Sequence, residues 1–167
     1  MPPIISIVGK SDSGKTTLLE KLIPCLKQKG YRIAVVKHTH HDTFPIDKEG
    51  KDSYRHKVAG ADAVMVASAN RIAMVKDVSV GSPEDIAEYF HDADLIITEG
   101  FKQTNNPKIE VCRAARSEEL VCQGDSNLIA VATDMDVRLD VPRFGLNEVS
   151  GLADFIEETL LKRNRSR

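Results

Sequence analysis

Eight residues, Gly9-Lys10-Ser11-Asp12-Ser13-Gly14-Lys15-Thr16, match the pattern GxxxxGK[ST] at every fixed position. Each fixed residue type answers a need of phosphate chemistry. Gly9 and Gly14 let the backbone wrap where a side chain would clash. The loop amides and the N-terminus of the following helix, opening with Lys15, Thr16 and Thr17, converge on one anionic group. Lys15 reaches the β- and γ-phosphates, and the Thr16 hydroxyl is of the kind that ligates Mg²⁺. The motif starts where the apolar run Ile4 to Val8 stops and ends where a helical period starts, which is the context a phosphate cradle requires.

A P-loop site needs a second acid for the metal, and two carboxylates flank the apolar run Leu95-Ile96-Ile97. Glu99, just after Thr98, closes the run at its C-terminal end, where such a carboxylate belongs, and is the residue expected to act; Asp94 would fall on the far side of the sheet. Asp47 is a third candidate for the metal or its waters, with Asp42, Glu49 and Asp52 nearby as equivalents. Lys37-His38-Thr39-His40-His41-Asp42 follows the second strand at the phosphate edge. Three histidines in four residues could bind a transition metal, but adjacent extended residues rarely converge, so contact with a second anionic ligand, with Lys37 adding fixed charge, is the preferred reading.

These residues need rigid elements to bring them together. Ile4 to Val8, Arg32 to Val36 and Leu95 to Thr98 read as buried strands, with Ile109 to Val111 and Leu128 to Ala132 as further strands. Leu18, Leu19, Leu22, Ile23 and Leu26 make one helix face, stopped by Gly30 and expected to kink at Pro24. Ala63 to Ala67 and Ile72 to Val75 form a hairpin, and His38 to Tyr54 a long polar loop. Ser82, with Asp85 in a box-like position, starts a helix at Pro83 running to about His91, and Val149 to Lys162 is a closing amphipathic helix. Strands alternating with helices give an α/β protein: a three-layer P-loop NTPase fold with a mostly parallel central sheet and an additional β-hairpin, expected as one domain over 1–167.

The 167 residues suit a single core, and 41% hydrophobic with 29% charged residues is ordinary globular composition. A net charge of -2 gives no bulk attraction to nucleic acid, and no apolar run reaches membrane-spanning length. The start Met1-Pro2-Pro3 carries no signal-peptide pattern. Cys25, Cys112 and Cys122 form neither a CxxC pair nor a disulfide framework, so packing roles and a cytoplasmic location are expected. The basic tail from Lys162 reads as a solvated end.

In order along the chain, several segments together resemble the molybdopterin-guanine dinucleotide biosynthesis protein B family, MobB, over nearly the whole length. They are Gly14-Lys15-Thr16-Thr17-Leu18-Leu19, Val36-Lys37-His38, His40-His41, Asp47, Gly50-Lys51-Asp52-Ser53 with Arg55, Ala59-Gly60-Ala61, Thr98-Glu99-Gly100-Phe101-Lys102, Pro107-Lys108-Ile109-Glu110 and Ala130-Val131-Ala132-Thr133-Asp134. The resemblance implies a GTP-binding homodimer that assists the molybdopterin guanylyltransferase, with slow GTP hydrolysis at Mg²⁺. It also implies contact of molybdopterin or its guanine dinucleotide with the segments around His38, His41 and Lys102. The Asn-Lys-x-Asp guanine signature is absent; Thr133-Asp134-Met135-Asp136 stands in its place, so Asp134 or Asp136 could meet the base, or the four residues are simply an acidic turn. Lys10 occupies the position of the extra lysine of dimerising ATPases that read GKGGxGKT, with Ser11 and Asp12 replacing their glycines. Two competing readings remain: a small-molecule kinase or ligase resembling dethiobiotin synthetase, with Lys37 on the acceptor, and a partition- or metallochaperone-type switch NTPase.

Overall fold

The computed structural model describes residues 1–39, 47–117 and 119–162. The chain divides into two compact units, one of Met1–His38 with Ser82–Arg167 and the other of Thr39–Gly81. Eight strands follow one another: β1 (Ile4–Val8), β2 (Ile33–Lys37), β3 (Ala63–Ser68), β4 (Arg71–Lys76), β5 (Leu95–Glu99), β6 (Lys108–Cys112), β7 (Leu128–Thr133) and β8 (Arg143–Phe144). In the first unit six of them form one sheet in the order β2-β5-β1-β6-β7-β8, with every neighbouring pair parallel. β5 lies between β1 and β2 and in contact with both, which puts the ends of these three strands side by side.

Burial on both faces explains the unbroken apolar runs. Ile5 and Ile7 face one cluster, built with Leu18, Leu19, Leu22 and Leu26 of α1 (Lys15–Gln28) and with Leu152 and Ile156. Ile4 and Val8, of opposite parity, enter two smaller clusters with Ile96 and with Val131. The result is the three-layer α/β P-loop fold that the alternation of periods implied.

α1 runs unbroken through Pro24, which removes only the bond to the Glu20 carbonyl. Gly30, at φ +89°, ends it, with its amide on Lys27 O and that of Tyr31 on Leu26 O. Other expectations needed adjustment. The segment read as loop to Tyr54 already turns helical at Asp52, giving α2 (Asp52–Val58). The helix expected to His91 is a single turn, α3 (Glu84–Ala87), followed by a 3₁₀ turn at Glu88–Phe90. Its box survives in one direction, Asp85 accepting the Ser82 amide at 2.8 Å. The closing helix, α4 (Val149–Ile156), passes into a π-helical turn at Glu157–Leu161, and β8 was not foreseen because two residues carry no period.

The second unit contains α2 and the antiparallel hairpin β3-β4, whose turn is only Ala69-Asn70 because Ser68 and Arg71 are still paired. Cys112 and Cys122 are buried and unbridged, as the packing role requires, and burial followed by the nearby Glu110 charge pushes the Cys122 thiol up to about 11. Among the described residues no helix is long and apolar enough to cross a membrane.

Candidate functional site

The loop after β1 is shaped by backbone that most residues cannot adopt. Gly9 has φ +144°, and a Cβ there would sit 2.3 Å from the Val111 carbonyl oxygen and 2.8 Å from Ser13 Oγ. Gly14, at φ +97°, starts α1 with no side-chain cap, so the first amides of the helix are not claimed by a capping side chain. Asp12 also lies in the left-handed region, at φ +58°. The Ser13 hydroxyl is buried with no hydrogen-bond partner among the described residues. This is the geometry of a phosphate cradle at the N-terminus of a 14-residue helix.

Lys15 folds back over the loop, donating to Lys10 O at 2.6 Å and Gly9 O at 3.3 Å. Burial lowers its pKa from the ordinary 10.5; the charges of Lys102 and Lys37 add to the lowering, and Glu99 opposes it. The ammonium thus faces neutral acceptors while crowded by other cations, a setting that a polyphosphate would relieve.

Glu99 is the acid at the centre. It is buried at the end of β5, paired in register with Lys37 of β2 on one side and Ile7 of β1 on the other. Its carboxylate forms an ion pair with Lys37 and accepts the Thr16 hydroxyl at 3.0 and 3.2 Å through its two oxygens. Two oxygens bound side by side on an octahedral Mg²⁺ lie about 2.9 Å apart, given metal-oxygen distances of about 2.0–2.1 Å. The Thr16-Glu99 spacing fits that edge, so the donor set suits a divalent cation held beside the cradle. Asp94, the rejected alternative, lies at the opposite end of β5, where it accepts the Arg32 amide at 2.7 Å.

The other expected residues are distributed as follows. His38 continues β2, donating its amide to Glu99 O at 3.0 Å and packing its ring, tilted by 49°, against Phe101 with centroids 4.5 Å apart. Gly100, at φ +110°, is required there, because a Cβ would come 2.9 Å from His38 Cβ. Lys102 follows on the exposed turn and acts electrostatically on Lys15. His40, His41 and Asp42 lie outside the described residues. Asp47 belongs to the second unit and accepts the Lys48 amide at 2.8 Å, and Asp52 there pairs with Arg55. At the end of β7 Thr133 accepts the Met135 amide at 3.0 Å, Asp134 accepts the Ala114 amide at 2.7 Å, and Asp136 pairs with Arg143. Lys10 donates to Ser117 of its own chain.

Sequence reasoning passed over the residues after β6. Arg113 lines the same cavity, of about 370 Å³, as Asp12, Lys15, Thr16, Lys37 and Glu99. Arg116 donates to Ser11 O at 3.1 Å and pairs with Asp12 at 3.3 Å. The available signal was Arg-Ala-Ala-Arg directly after a buried strand whose C-terminal end shares an edge with the cradle.

The family model for molybdopterin guanine dinucleotide synthesis protein B matches residues 4–134. The chain belongs to the MobB family. It is 42% identical to the molybdopterin-guanine dinucleotide biosynthesis adapter protein of Escherichia coli K12, covering 98% of this chain and 97% of that one. It is 41% identical to the adapter protein of Haemophilus influenzae Rd, over 95% and 89% of the two chains. Among solved structures, a crystal structure of a molybdopterin-guanine biosynthesis protein B superposes with a TM-score of 0.74 at 34% identity, covering 94% of this chain and 98% of that one. Bacillus subtilis MobB superposes with 0.77 at 28% identity, covering 95% and 98%. The MobB match ends at Asp134, so it takes in the cradle, Glu99 and Arg113 but stops before β8 and the closing helix.

Proposed function

We propose that this MobB-family chain is a nucleotide-binding adapter of molybdopterin-guanine dinucleotide biosynthesis, which binds GTP with Mg²⁺ in the Gly9–Thr17 cradle and assists the molybdopterin guanylyltransferase. The observation that carries the nucleotide site is the Thr16-Glu99 contact beside a loop whose Gly9 admits no side chain. Thr16 and Glu99 hold the cation or its waters, and the cation, when bound, neutralises charge on the β- and γ-phosphates. Lys15 exchanges its two carbonyl contacts for phosphate oxygens. The preference for GTP is carried by the family, since Asp134 and Asp136 are both engaged with protein groups.

Glu99 is tied to Thr16 and Lys37 and not held free as a base, which agrees with slow hydrolysis suited to a switch more than to turnover. His38, packed against Phe101 and bonded through its amide to the Glu99 carbonyl, links the metal side of the site to the segment expected to meet a pterin phosphate. We place this adapter in the cytoplasm as a homodimer. Calorimetric titration with GTP, GDP and ATP, with and without Mg²⁺, tests the site: micromolar Mg-GTP binding that is abolished in Lys15→Ala is expected, and equal affinity in that variant would remove the assignment. Co-purification with the guanylyltransferase in the presence of GTP or GDP tests the partner, and absence of a complex with either nucleotide would count against it.

A further inference from the structure

We infer that Arg113 is a phosphate-binding residue of this site, held over Gly14 by the segment Arg113–Ser117 and directed at the α- and β-phosphates. The inference rests on the nucleotide reading above and adds a residue to it. The Arg113 guanidinium lies against the cradle: Nη2 is 3.5 Å and Cζ 3.9 Å from where a Cβ on Gly14 would stand. It lines the same cavity as the Lys37-Glu99 pair. Among the described residues its side chain makes no hydrogen bond or ion pair.

Charge pairing in the cavity separates Arg113 from its neighbours. Lys37 is compensated by Glu99, and Asp12 by Arg116. Among the described residues Lys15 touches only carbonyl oxygens and the Arg113 side chain has no bonded partner, so two positive charges not paired with a described carboxylate face one cavity. A diphosphate segment supplies the missing negative charge, and a guanidinium presents its paired donors to phosphate oxygens in matching geometry.

The segment is braced from three sides. Asp134 at the end of β7 accepts the Ala114 amide, Arg116 grips Ser11 and Asp12, and Lys10 reaches Ser117. Arg116, Lys10 and Asp134 are therefore positioning residues, and Arg113 is the side chain left pointing at ligand. Its seat at Gly14 chooses the phosphates: loop amides at this end of a P-loop cradle the α- and β-groups, while Thr16 and Glu99 lie toward the metal and the γ-group.

The test is titration of Mg-GTP and Mg-GDP into the wild-type chain, Arg113→Ala and Arg113→Lys, with thermal unfolding of each. Arg113→Ala should weaken GTP and GDP by the same factor, about tenfold to a hundredfold, flatten the salt dependence of binding and leave the melting temperature in place. Arg113→Lys should recover part of the loss, which a merely structural role would not predict. Wild-type affinity in Arg113→Ala, or a loss confined to GTP, overturns the inference while leaving the nucleotide site standing. Failure of the wild-type chain to bind either nucleotide overturns the nucleotide reading and Arg113 with it.

Discussion

Lys15 is held where its charged form is least comfortable, desolvated and near Lys102 and Lys37, with its pKa below 10.5. Phosphate contact favours the ammonium and raises that pKa again. The sign of the linkage follows: between the lowered value of the free protein and the higher value of the complex, binding takes up a proton, and affinity falls as pH rises through that window. Calorimetry of GTP binding in two alkaline buffers of different ionisation enthalpy should show net proton uptake, absent at neutral pH where Lys15 is already charged. Equal heats in both buffers at alkaline pH would mean that Lys15 does not meet the phosphates. This residue was readable from spacing alone, because a P-loop is contiguous in the chain. Arg113 was not, since it reaches Gly14 only through the pairing of β1 with β6, and residues about a hundred positions apart share no local pattern.

β6 shows how one element organises the edge of the site. Ile109 and Val111 face the apolar core, whereas Lys108 and Glu110, on the other face, are equally buried and charged. Glu110 accepts the amides of Val121 and Cys122 at 2.7 and 2.8 Å, and Lys108 pairs with Asp125, which also accepts the Asn127 amide. The connection from β6 to β7 is thus tied down at its far end, while its near end carries Arg113. Ile109 to Val111 were legible as a strand, but its burial on both faces and the partners of the buried charges could not be read from sequence. Lys108 is the first cause of the lowered Asp125 pKa, so this carboxylate contributes stability that is complete above about pH 4 and is lost as pH falls through the depressed folded value. Asp125→Ala should cost roughly 2–3 kcal/mol, less than for a fully enclosed pair because Asp125 keeps partial exposure. Urea unfolding at neutral and acidic pH checks this: the gap between wild type and variant should narrow on acidification, and a constant gap would assign the loss to the Asn127 turn.

At the scale of the whole molecule, the second unit carries more apolar surface than a two-stranded hairpin can keep for itself. Cross-strand register puts Met65 beside Met74 and Ala67 beside Ile72 on one face, and Met65 and Ile72 are 52% and 64% exposed. An isolated hairpin is at best marginally stable in water, and one with an apolar face gains most from another surface of the same kind. Self-complementary pairing of two copies meets that need and agrees with the proposed homodimer. Strand period and the short turn made the hairpin visible in the sequence, but its exposure was not, because periodicity reports which residues share a face and not what covers it. Met65→Asp with Ile72→Asp should shift the chain from dimer toward monomer by more than tenfold in dissociation constant, as followed by sedimentation equilibrium over a concentration series. Both positions lie outside the cradle, so Mg-GTP affinity should stay within about twofold of wild type wherever the monomer remains folded. A dimer of unchanged strength in the double variant would move the interface to another surface, and a wild-type chain that sediments as a monomer at all concentrations would remove the homodimer from the model of this adapter.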